Sequence, residues 1–126
     1  MFNSLTRAII LTSAALVCLP AALDDSEYLQ WYVDEVKAAR TQMTEGLRQL
    51  GVAYWPSQAN FILVKIGARH SDFVRAMHRR GVLTRDRSND QGCDGCVRLT
   101  VGTQAQMKQA LAAMGEALSE IGWERA

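Results

Sequence analysis

Apolar residues along this chain alternate between a helical and an extended period. Leu29, Val33, Val36, Met43, Leu47 and Leu50 fall at three-, four- or seven-residue steps, which predicts a helix over 24–50 with one apolar face. Asp24 with Glu27 three residues on has capping-box spacing, and Gly51 fits the left-handed stop. Short β-rich runs follow at 52–55, stopped by Pro56, and at 60–66, where Phe61, Ile62, Leu63 and Val64 read as a buried strand. A helix is expected over 71–80, capped by Ser71, with Phe73, Val74 and Met77 inward and Gly81 as the stop. Strands are expected over 82–87 and 96–101, separated by the polar loop SNDQGCDG. Thr103 and Gln106 form a second capping box ahead of a helix carrying Met107, Leu111, Met114, Leu118 and Ile121. The order α-β-β-α-β-β-α is an α+β fold: a small, mostly antiparallel sheet with helices packed on it.

The first 23 residues complicate that order. Arg7 precedes an apolar run from Ala8 to Leu19, with small residues at Ala21 and Ala22, the layout of a signal peptide. Cleavage after Ala22 would leave Pro20 at an unfavourable position, and no lipobox precedes Cys18. The run falls short of the roughly 18 apolar residues of a membrane span. Export and a buried helix start are the two alternatives.

Length and composition add limits. The 126 residues suffice for one domain. A net charge of +1 speaks against a nucleic-acid tail, but the charge is unevenly spread. The 24–50 helix is acidic, and a solvated face explains it. Six arginines (69, 75, 79, 80, 85 and 87) fall within 69–87. Arg75, Arg79 and Arg80 fit a solvated helix face. Arg85 and Arg98 instead lie in predicted strands, where a guanidinium needs either an anionic ligand or a structural ion pair. Its planar fork suits carboxylate or phosphate.

Other chemistry is thinly supported. Cys93-x-x-Cys96 is a single CxxC with no second pair for zinc, and it lies between strands, unlike a thioredoxin motif, so it reads as two free thiols. His70 and His78 read as surface residues. There is no phosphate-cradling glycine loop, no Ser/His/Asp constellation, and no aromatic interleaving of the basic run that would suggest nucleic acid.

Three segments carry a resemblance: YWPSQANFILV at 54–64, GVLTRDR at 81–87 and GCDGCVRLTVGT at 92–103. In this order and spacing they resemble the C-terminal small domain of histidinol-phosphate aminotransferase, a fold-type I pyridoxal-phosphate enzyme of class I/II. The resemblance spans about 16–118. It implies a small domain over 16–122 behind a non-family leader at 1–15. It also implies that Arg98 matches the arginine clamping a substrate α-carboxylate, and Arg85 an arginine contacting the substrate phosphate. The family moves an amino group from glutamate to imidazole-acetol phosphate in histidine biosynthesis. Its catalytic lysine, cofactor-ring partners and phosphate loop belong to a large domain, and Lys37, Lys65 and Lys108 match none of these. The expectation is therefore a truncated chain with no catalytic residue of its own, binding no pyridoxal phosphate alone and inactive alone. It would be cytoplasmic, with no nucleic-acid or membrane partner, a missing large domain and doubtful dimerisation. The alternatives are a small α+β module binding an anionic metabolite, and an exported protein with a cleaved N-terminus.

Overall fold

A computed structural model describes the backbone of residues 4–124 and the side chains of residues 12–124. The elements are α1 (Ser4–Asp24), α2 (Ser26–Leu50), β1 (Ala53–Trp55), β2 (Phe61–Lys65), a 3-10 turn (Gly67–Arg69), α3 (His70–Arg79), β3 (Arg85–Asp86), β4 (Cys96–Thr100) and α4 (Gln104–Glu120). The chain divides into two compact units, residues 1–34 and 35–126.

In the first unit, the segment with signal-peptide layout is a helix, α1, that includes Pro20. Its described side chains, 12–24, are exposed; the earlier part of the apolar run, on which the buried-helix alternative also bears, lies outside them. Because α1 runs through Asp24, the cap of the next helix falls one residue later than expected: Asp25 Oδ1 accepts the Tyr28 N–H at 3.0 Å. Leu29 and Val33, expected on the buried face, are 52% and 37% exposed. No helix among the described residues is long and apolar enough to cross a membrane.

The second unit is the α+β layer. Its four strands run in the order β1-β2-β4-β3, and every pairing is antiparallel. Since β2 and β3 flank β4, α3 connects two strands that run parallel with a third between them. Alternation along β2 and β4 divides the sheet into two faces. Ile62, Val64, Val97 and Leu99 point into the core, against Met43 and Leu47 of α2, Phe73 and Met77 of α3, and Met107 and Met114 of α4. Phe61, Leu63, Lys65, Cys96, Arg98 and Thr100 occupy the other face.

Two strands are shorter than their apolar runs, for one reason. At the end of α2 the Val52 N–H donates to the Leu47 carbonyl at 2.9 Å; at the end of α3 the Val82 N–H donates to the Met77 carbonyl at 3.1 Å. Both helices thus close in a Schellman motif, with Gly51 at φ +73° and Gly81 at φ +75° in the left-handed position. An amide used to close a helix is not free for a ladder. β1 accordingly starts at Ala53 and Val82 stays out of β3, which covers only Arg85–Asp86 of the expected 82–87. Ser71 caps nothing: α3 starts one residue earlier, fed directly by the 3-10 turn, and its N-cap Arg69 makes no side-chain cap bond. The capping box of α4 forms as expected between Thr103 and Gln106.

Candidate anion-binding face

Antiparallel register decides what the outer sheet face presents. Leu63 pairs with Arg98, Trp55 with Leu63, and Arg85 with Arg98. Directly paired residues project to the same side, so Trp55, Leu63, Arg98 and Arg85 form one row across all four strands, with neighbours about 4.8 Å apart along it. The two arginines singled out in the sequence are therefore adjacent, on one face.

Like charges opposite each other destabilise a sheet unless something compensates. Nothing anionic does so among the described residues. The other arginines of the 69–87 run are all paired. Arg69 (2.7 Å) and Arg75 share Asp72, Arg79 and Arg80 (2.7 Å) share Glu120, Arg80 also takes Glu116 at 3.0 Å, and Arg87 takes Asp90. Arg85 is exposed and has no ion pair among the described residues. Arg98 is half-buried, its guanidinium carbon 5.2 Å from the centre of the Phe61 ring. A cation over an aromatic face is attracted without being neutralised. The Arg98 Nε is buried and has no hydrogen-bond acceptor. A buried donor without a partner is costly, and a carboxylate or phosphate oxygen would satisfy it.

Three contacts position this pair. Behind β3, Asp86 projects to the helix side and its Oδ2 lies 2.8 Å from His70 Nδ1 at the start of α3. Burial works against the Asp86 carboxylate, but the Ser88 N–H and His70 hold it below its ordinary pKa. Ahead of β2, Arg40 of α2 donates to the carbonyls of Gln58 at 3.1 Å and Ala59 at 2.8 Å, while the Asn60 carbonyl accepts the Val101 N–H at 2.8 Å. That fixes the loop entering at Phe61. Past β4, both oxygens of Glu35 accept from Gln104 at 2.8 Å, holding the N-terminus of α4 and lowering the Glu35 pKa through those bonds. Arg40, His70 and Glu35 have no sequence signal as positioning groups, because each bond joins residues far apart in the chain.

The class I and II aminotransferase model matches residues 1–114. The chain belongs to that family. A histidinol-phosphate aminotransferase of Halalkalibacterium halodurans is 32% identical over 104 residues, which is 82% of this chain and 28% of that protein. Histidinol-phosphate aminotransferase 2 of Pseudomonas fluorescens is 30% identical over 119 residues, 94% of this chain and 32% of that protein. Among solved structures, the histidinol-phosphate aminotransferase of Sinorhizobium meliloti in complex with pyridoxal-5'-phosphate superposes with a TM-score of 0.70 at 26% identity, over 80% of this chain and 28% of that one. The chain thus spans less than a third of the length of these aminotransferases.

Aminotransferases of this family work with pyridoxal phosphate, whose resident site needs a lysine beside a phosphate cradle. The described residues of this chain do not fit that requirement. Lys65 shares the arginines' sheet face, but its ammonium is held by the Asp94 carbonyl and lies 3.9 Å from the Asp94 carboxylate. Lys37 and Lys108 occupy exposed positions on α2 and α4. What the described residues offer instead is a pair of in-register arginines without a counter-charge.

Proposed function

We propose that this chain is the small-domain part of a cytoplasmic histidinol-phosphate aminotransferase-like enzyme. Arg98 holds the α-carboxylate of the amino donor, glutamate. Arg85, one strand further out, holds the phosphate of the acceptor, imidazole-acetol phosphate. The observation that carries this reading is the in-register Arg85–Arg98 pair, uncompensated among the described residues, with the Arg98 Nε buried and lacking an acceptor. Adjacent strands let both forks reach one dianionic group, or two anionic groups on one small molecule. Pyridoxal phosphate supplies the carbanion chemistry from residues outside the matched region, and the chain alone neither holds it covalently nor transfers an amino group.

Calorimetric titration of the chain with glutamate and with histidinol phosphate tests this. Weak saturable binding of both is expected, with glutamate lost in Arg98→Ala and the phosphoester weakened most in Arg85→Ala. Equal binding by the chain and the double variant would overturn the assignment. A Schiff-base absorbance band with the chain alone would overturn its inactivity.

A further inference from the structure

The loop between β3 and β4 ends in a structure the arginine pair does not explain. The Cys96 N–H donates to the Cys93 carbonyl at 2.8 Å, and Gly95, third in the turn, has φ +64°. These features define a type II turn over 93–96, with a cysteine at each end. A hydrogen-bonded β-turn brings its first and last Cα atoms within about 7 Å, and disulfides span Cα separations of about 4.4–6.8 Å. The Cys96 sulfur is also turned back over the turn, 3.6 Å from the Asp94 carbonyl oxygen.

The turn is fixed from several sides. The Gly95 carbonyl accepts from Ile66 N–H at 2.9 Å and Gly67 N–H at 3.0 Å, and the Gly95 N–H donates to Ser88 Oγ at 2.9 Å. The Arg87 N–H donates to the Cys96 carbonyl at 2.9 Å, and the Lys65 ammonium donates to the Asp94 carbonyl. A Cβ at position 95 would lie 2.6 Å from the Gly67 Cα, so only glycine fits there. Folding has thus already ordered the backbone that carries the two thiols, removing part of the entropy cost of joining them. Among the described residues no cluster of His, Cys, Asp or Glu could hold a metal there.

We propose that Cys93 and Cys96 form a reversible disulfide across this turn, by exchange with a small-molecule disulfide of the glutathione class. Cys93 is half-buried and Cys96 is 1% exposed, which sets the order of events. The Cys93 thiolate attacks the small disulfide, forming a mixed disulfide and releasing one small thiolate. The Cys96 thiolate then attacks the Cys93 sulfur, closing the ring and releasing the second. The two protein thiols are oxidised, one small disulfide is reduced to two thiols, and the two thiol protons pass to the leaving thiolates. Burial pushes the Cys96 thiol up, opposed by Lys65 across the sheet and reinforced by Cys93 and Asp94. The second step therefore speeds up with rising pH. Since Cys96 lies two positions before Arg98 on the same face of β4, the bond would tether the root of the strand that carries the anion site.

The test is independent of the aminotransferase reading. The full chain is equilibrated in glutathione buffers of rising oxidised fraction, alkylated and cut with trypsin, which places both cysteines in peptide 88–98. The expected product is that peptide lighter by two hydrogens, restored by dithiothreitol and unaffected by Cys18→Ser. In Cys96→Ser, position 93 stops at the glutathione adduct. In Cys93→Ser, Cys96 stays reduced. Alkylation of both thiols under oxidising buffer, glutathione on both, or a link from either to Cys18 would each overturn the proposal.

Discussion

The α3–α4 contact and the outer face of the sheet are both rich in arginine and use it in opposite ways. Between the helices, Arg79 and Arg80 are matched by Glu116 and Glu120, and Arg80 also donates to the Ala76 carbonyl at 3.0 Å. Those cations are consumed by the fold. On the sheet, Arg85 and Arg98 face each other with no carboxylate among the described residues, held by backbone register and by a ring. Arginine count does not separate the two regions; the presence of a counter-charge does. A cation that the fold leaves uncompensated is free to bind a ligand, and one already paired is structural.

The largest break in this comparison is Arg98→Ala, expected to weaken glutamate binding about ten- to a hundredfold, the worth of hydrogen bonds to a charged group. The melting temperature should hardly move, since the substitution removes a cation with no structural ion pair. Arg85→Ala should weaken the phosphoester about tenfold on the same scale and glutamate less, because Arg85 is exposed and its interactions are better screened. Phe61→Leu keeps an apolar side chain but removes the π face over which Arg98 lies, and a loss of severalfold in glutamate affinity is expected. All three losses of affinity are read by calorimetry.

The paired region should respond in the opposite sense. Arg80→Ala is expected to lower the melting temperature by a few degrees in a calorimetric scan and leave both ligands' affinities unchanged. Acid should act more gently on the same pairs. Hydrogen bonds from Arg80 and Arg79 hold Glu120 below its ordinary pKa, and a hydrogen bond from Arg69 does the same for Asp72. A carboxyl depressed in the folded state contributes stability above its unfolded pKa, near 4, and loses it as the pH falls through the lower folded value. Denaturant midpoints should thus be level from neutral pH down to about 5 and decline below about 4.

Much of this contrast was legible in the residues. Strand periodicity places Arg85 and Arg98 apart from the helical arginines, and the segments at 54–64, 81–87 and 92–103 together point to the family. Their adjacency was not legible. It depends on the register across an eight-residue polar loop, which local pattern does not specify. The Arg40 clamp on the 58 and 59 carbonyls and the His70–Asp86 bond were missed for a related reason, since each joins separate elements through a single side chain. The errors at element ends were local and physical. Asp25 displaced Asp24 as the cap because α1 occupied Asp24, and Val52 and Val82 left their strands because their amides closed the preceding helices.

The central claim is that Arg98 and Arg85 together are the anion-binding groups of this aminotransferase small domain. Nitrogen-15 NMR of the arginine Nε–Hε groups during separate titrations with glutamate and with histidinol phosphate tests it residue by residue. The prediction is that the Arg98 resonance shifts and saturates with glutamate and the Arg85 resonance with histidinol phosphate, while Arg75, Arg79 and Arg80 stay in place. Shifts confined to the α3 arginines, or no shift at Arg98, would contradict it.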